Sequence, residues 1–241
     1  MKLLAIESSG LVASAAVVED TTLLAEYTVN YKKTHSQTLL PMMDEIVRML
    51  ELDLQDIDVI AVSGGPGSFT GLRIGSATAK GLGLALKKPI VSVPTTQAIA
   101  ANLYGFEGIL CPLMDARRNQ VYTGLYRNTR EGFQTVLDQM AVPVEEIIAR
   151  VNEQSEPVIY LGDGVEVYAQ KLRELTQVAY SFAPPHCARQ RAGALAFRAF
   201  ELYREGHAVS AMEQKPEYLR LSQAERERKE RQETGQSDAA S

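Results

Sequence analysis

The residues most able to do chemistry lie in one glycine-rich stretch, Ser63-Gly64-Gly65-Pro66-Gly67-Ser68-Phe69-Thr70-Gly71-Leu72-Arg73-Ile74-Gly75. A turn of this kind between a strand and a helix presents backbone N–H groups that can hold a phosphate or a carboxylate. Its spacing fits neither common phosphate motif. GxxxxGK[ST] fails because no lysine follows the loop, and GxGxxG fails because Gly67 and Gly71 are one residue too far apart. A tight turn that needs glycine for positive φ and close packing explains the stretch equally well. Glu7, Ser8 and Ser9, in the first turn of the chain, could face a phosphate from the other side, although a solvated turn carboxylate is the commoner role for one acid there. The candidate nucleotide loop is therefore Glu7, Ser8, Ser9, Gly64, Gly65 and Gly67.

A second pattern overlaps the first. Gly71, Gly75, Ala79 and Gly83 recur every fourth residue and form a flat stripe on one helix face. Each glycine costs roughly 1 kcal/mol relative to alanine inside a helix, so the stripe requires a close neighbour. That neighbour is either this chain's own sheet or a partner helix docked on the stripe together with Leu39, Met43, Ile46 and Leu50. The residues alone leave both readings open. Asp115, Arg117 and Arg118 read first as a polar hairpin, His35 as a polar residue at a helix start, and Gly162-Asp163-Gly164 as a turn. No GxSxG occurs, and Cys111, Cys187, His35, His186 and His207 show no metal-ligand spacing.

The elements that would carry these residues alternate. Segments 2–7, 12–19 and 23–28 read as a three-stranded meander, and 37–50 as an amphipathic helix capped by Ser36. Strand 59–62, helix 71–86 and strand 90–93 form a parallel crossover, followed by a short helix that Thr95 caps. A hairpin of 109–115 and 121–126 opens a second half, with helix 144–152, strand 158–161, a helix to 175 and a helix over 189–205. Two such halves suggest a duplicated ribonuclease-H-like α/β fold, with lobes 1–106 and 107–221 and a charged tail 222–241 without large apolar residues. The 241 residues carry a net charge of −5 and no apolar run of membrane-spanning length. A broad cationic field for an RNA backbone is thereby excluded, and the expected location is the cytoplasm.

Taken in order, Ile6-Glu7-Ser8-Ser9, His35-Ser36-Gln37-x-Leu39-Leu40-Pro41, the 65–75 signature, Asp115-Ala116-Arg117-Arg118, Gly162-Asp163-Gly164 and Tyr218-Leu219-Arg220 resemble the TsaB family over nearly the whole chain. The resemblance implies a two-lobed actin-like (ASKHA) fold. It also implies a non-catalytic accessory role in forming threonylcarbamoyladenosine in tRNAs that read codons beginning with adenine. The implied partners are TsaD and the ATPase TsaE, with a homodimer in the absence of TsaD and tRNA reached only through the complex. No cofactor is expected on this chain alone, ATP or ADP being expected at most at an interface with TsaD. TsaD-like subunits place two metal-binding histidines four apart on a helix, whereas 95–104 here holds none. The alternative is a stand-alone nucleotide-binding hydrolase or phosphotransferase that uses Glu7 and the glycine loop.

Overall fold

The computed structural model describes residues 1–32 and 34–219. The expected tail 222–241 lies outside them. The first half runs β1 (Lys2–Glu7), β2 (Ala13–Glu19), β3 (Thr22–Val29), α1 (His35–Met49), β4 (Val59–Gly65), α2 (Phe69–Leu86), β5 (Ile90–Pro94) and α3 (Thr95–Ala100). The second repeats that succession: β6 (Ile109–Asp115), β7 (Gln120–Thr129), β8 (Gly132–Pro143), α4 (Val144–Gln154), β9 (Val158–Leu161), α5 (Gly164–Leu175), β10 (Tyr180–Phe182) and α6 (Ala192–Arg204). A last short strand, β11 (Ala208–Val209), completes the described elements. The sheets are ordered β11-β5-β4-β1-β2-β3 and β10-β9-β6-β7-β8, so both halves share one topology apart from β11 at the edge of the first. Two ribonuclease-H-like units in tandem make the two-lobed actin-like fold.

The central strands are buried on both faces, which is why 3–6 and 59–62 read as unbroken apolar runs. Alternate residues serve different layers. Leu4, Ile6, Ile60 and Val62 meet Leu39, Met43 and Ile46 of α1 and Ala79 of α2. Leu3, Ala5, Val59 and Ala61 meet Ala192, Leu195, Ala196 and Ala199 of α6. Within the span 107–221 expected for the second lobe, α6 packs on the first sheet, whose inner face its small residues cover. In exchange α3 sends Ile99 and Ala100 into the second lobe, against Met114, Leu161, Leu110 and Tyr126.

Several helix starts differ from expectation. Helix α1 begins at His35, with Thr34 at the N-cap position and no side-chain cap, because His35 turns inward and its Nε2 bonds the Gly10 carbonyl at 2.8 Å. Ser68 caps α2 and accepts from the Gly71 amide, so that helix starts at Phe69. Pro94 takes the N-cap position of α3, Thr95 being its first helical residue. Strand β8 escapes the alternation rule because register shifts opposite Thr123, Leu125 and Tyr126 break its period of two.

The small-residue stripe faces inward. A Cβ on Gly71 would lie 2.1 Å from the Ser8 carbonyl oxygen, one on Gly75 2.2 Å from Ser8 Oγ, and one on Gly83 2.9 Å from Ala211 Cβ, while Ala79 is fully buried. Leu39, Met43 and Ile46 are core residues and Leu50 packs against them. The stripe and this apolar face are thus packed against the chain's own residues, Ser8 of the β1–β2 turn, Ala211 and the first sheet, with Leu50 half-buried at their edge. Gly71→Ala is expected to destabilise the protein by about 1–3 kcal/mol through overpacking against backbone. Gly81→Ala, which meets nothing within 4 Å, is expected to stabilise it by about 0.5–1 kcal/mol. Urea unfolding of both variants checks the pair.

Candidate functional site

The floor of the space between the lobes is the β1–β2 turn. Glu7 ends β1 fully buried, and its Oε1 accepts the Ser9 amide at 2.6 Å. Burial raises the Glu7 carboxyl above its usual range, against the opposing pull of the Ser9 and Ser63 hydroxyls and the Ser8 and Ser9 amides. The Ser8 amide also reaches Ser63 Oγ at 3.3 Å, and Ser8 Oγ donates to the Gly71 carbonyl at 2.9 Å. From the facing loop the Ser68 amide donates to the Ser9 carbonyl at 2.7 Å. The turn and the glycine loop therefore bond one another through these groups, a carboxylate of the chain holds the Ser9 amide, and Glu7 Oε2 and Ser9 Oγ stay buried without a hydrogen-bond partner among the described residues.

Only part of the expected loop reaches the open space. Ser9 and Gly67 line the cleft together with Pro66 and Ser68, whereas Ser8 lies beneath α2. Gly64 and Gly65 belong to β4, where Gly65 has φ +111° and a Cβ there would meet the Glu217 carbonyl oxygen at 2.1 Å. The glycine requirement is thus steric at Gly71 and Gly75 and both steric and conformational at Gly65.

The cleft has a volume of about 480 Å³. Phe69, Glu217 and Tyr218 stand on the first-lobe side, and Met114, Asp115, Arg117, Tyr122 and Asp163 on the second. Asp115 Oδ1 accepts from the Arg117 amide at 2.9 Å and from the Tyr168 hydroxyl at 3.3 Å. Arg117, Arg118 and Asn119 all adopt left-handed φ, at +64°, +56° and +60°, which turns the β6–β7 hairpin sharply beside the cleft. Arg117 is 89% exposed and lies 3.9 Å from Asp115 Oδ2. Desolvation raises the Asp163 carboxyl, with Asp115 adding to it and Arg189 opposing it. Among the described residues no three His, Cys, Asp or Glu side chains converge as a metal site.

The sequence reading missed the segment after β11 as a structural wall. Gln214 is buried, with Oε1 accepting from Ser76 Oγ at 2.5 Å and Nε2 donating to Ser92 Oγ at 3.1 Å. Lys80 Nζ holds the Met212 and Gln214 carbonyls, and the Glu217 amide donates to the Gly64 carbonyl at 2.6 Å. So tethered, Tyr218 packs against Phe69 with centroids 4.8 Å apart and ring planes tilted by 38°, and the Arg73 guanidinium lies 4.0 Å from the Phe69 centroid. Gln139 Nε2 reaches Glu217 Oε2 at 2.9 Å from the second lobe. The Tyr218-Leu219 pair was visible as part of a motif, but nothing local indicated what it packs against.

The geometry defines a two-lobed actin-like protein in which the Ser9 amide, at the position of a phosphate loop, is held by the chain's own Glu7. The family model for "TsaD: tRNA N6-adenosine threonylcarbamoyltransferase" matches residues 22–228. The chain is 34% identical over 227 residues to the tRNA threonylcarbamoyladenosine biosynthesis protein TsaB of Bacillus subtilis, spanning 93% of this chain and 96% of that one. The Escherichia coli TsaB is 29% identical over 233 residues, spanning 91% and 95%. The structure of YeaZ from Pseudomonas aeruginosa superposes with a TM-score of 0.79 at 26% identity, over 90% of this chain and 99% of that one. The chain belongs to the TsaB family, whose members are named for threonylcarbamoyladenosine biosynthesis in tRNA. Among the described residues no helix is long and apolar enough to cross a membrane.

The buried Glu7 generates a pH prediction. Its folded-state carboxyl is raised, so the favourable contribution of the protonated form is fully present below the unfolded value near 4.5 and fades as pH rises through the folded value. Glu7→Gln removes this term. The unfolding free energy of the variant relative to the parent is expected to rise as pH increases from about 4 to 7, as measured by urea unfolding at several pH values.

Proposed function

We propose that the protein is a non-catalytic accessory subunit in forming threonylcarbamoyladenosine in tRNA, binding and activating TsaD in concert with the ATPase TsaE. The observation that carries this is the outer face of the first two helices. On α2, beyond the exposed Arg73 of the first turn, the exposed residues Ala77, Gly81, Leu84 and Ala85 follow one another at helical spacing without a charge, flanked by half-buried Ile74. Leu84 and, on α1, Leu40 are each 57% exposed. An uncharged stripe on a surface helix fits a docking face, whereas a solvated helix would carry polar side chains here. The partner face thus moves half a turn away from the stripe of Gly71, Gly75, Ala79 and Gly83. Self-pairing of this chain would use the same surface and compete with TsaD.

Two features support the absence of catalysis. The Glu7 carboxylate is enclosed and engaged with its own turn. Helix α3, which carries no histidine, is buried between the lobes, where Thr96 Oγ1 meets the Tyr126 hydroxyl at 2.7 Å. The stand-alone hydrolase reading needs the β1 turn as an open anion site, and the bonding of that turn runs against it.

Leu84→Glu is expected to weaken the complex with TsaD from the same organism by at least about tenfold, while the surface position keeps the stability change within roughly 0.5 kcal/mol. Size-exclusion chromatography with light scattering and a thermal melt check the two halves. A complex of undiminished stability would remove this face from the account.

A further inference from the structure

We propose that the cleft between the lobes binds an uncharged nucleoside, its base stacked on Tyr218 and its sugar hydroxyls donating to the Asp115 and Asp163 carboxylates. This goes beyond the docking reading and does not depend on it. The cavity of about 480 Å³ falls in the range of small-molecule sites. Its first-lobe wall is a prebuilt aromatic platform: Phe69 contacts both the Arg73 guanidinium and the Tyr218 ring, and Tyr218, which lines the cleft, is 39% exposed. The Glu217 amide anchors the neighbouring backbone to Gly64, so the ring is held in place before any ligand arrives. Stacking on such a ring accepts any base.

Polar groups of the same cleft select against phosphate. Among the described lining residues, Asp115, Asp163 and Glu217 present three carboxylates, against one cation, Arg117, which lies beside Asp115. Carboxylates accept hydrogen bonds from sugar hydroxyls and exocyclic amines but repel a phosphate at short range. Three backbone donors of the turn and loop are already engaged: the Ser9 amide by Glu7, the Ser8 amide by Ser63, and the Ser68 amide by the Ser9 carbonyl. An aromatic ring carrying neutral hydroxyls matches all of these features, and a nucleotide only the first.

The test is calorimetric titration of the full chain with adenosine and with ADP, with and without magnesium, alongside Tyr218→Phe and Tyr218→Ala. Adenosine is expected to bind at least about tenfold more tightly than ADP. Tyr218→Phe should retain binding within about threefold, and Tyr218→Ala should lose about tenfold or more. The trinucleotide ApApA identifies the source: binding at least as tight as adenosine assigns the cleft to an unpaired residue of an RNA strand, and weaker binding to the free nucleoside. ADP binding as tightly as adenosine, no adenosine binding at millimolar concentration, or equal affinity in a folded Tyr218→Ala protein overturns the proposal.

Discussion

The start of α2 presses directly onto the β1–β2 turn, and most of the molecule's arrangement follows from that contact. Gly67, Gly71 and Gly75 permit it, since a Cβ at any of them would lie within 2.3 Å of a Ser8 or Ser9 oxygen. Because the helix lies this close, Glu7 is closed off from solvent and bonds the Ser9 amide instead of a ligand. The same contact fixes Phe69 at the first helical residue, from which Tyr218 takes its position. It also turns the small-residue face of α2 toward the sheet, which leaves Ala77, Gly81 and Leu84 as the face the helix shows outward. A glycine motif that looks like a ligand loop is here a packing device.

The lobes are interlocked rather than joined at one hinge. Helix α6 covers the first sheet after the chain has built the second, and α3 inserts into the second lobe before it is formed. Arg198 of α6 bonds Gln97 Oε1 of α3 at 2.9 Å and lies 4.9 Å from the Phe133 ring centroid of β8, tying three elements together. The segment from Ser210 to Tyr218 then closes over α2, β5 and the glycine loop. Opening the cleft would break several of these contacts together, so its walls act as one preorganised surface.

The strands and helices of the first half were legible because each has a clear period: 3–6 and 59–62 as buried runs, and 37–50 as an amphipathic helix. The duplication was legible from element order. Where the stripe faces was not, because Gly71, Gly75, Ala79 and Gly83 require a close neighbour without specifying whether it is β1 or a partner helix. The place of α6 was not legible for a similar reason, since Ala192, Ala196 and Ala199 show an apolar face but not which sheet lacks a cover. Strand β8 was lost to its bulges and β10 to its three-residue length. Of the candidate loop, Ser9 and Gly67 reach the cleft. Met114, Tyr122, Glu217 and Tyr218 join them from 47 or more residues away in sequence (67 to 114), a separation that no local motif bridges.

The most direct test of the account is amide hydrogen exchange of this protein alone and mixed with TsaD. The account predicts slowed exchange along the second half of α2, where the uncharged outer face lies, and along α1 around the exposed Leu40, with the β6–β7 turn at Arg117 unchanged. Protection confined to β8, α4 and α5 of the second lobe, with α1 and α2 unaltered, would contradict it.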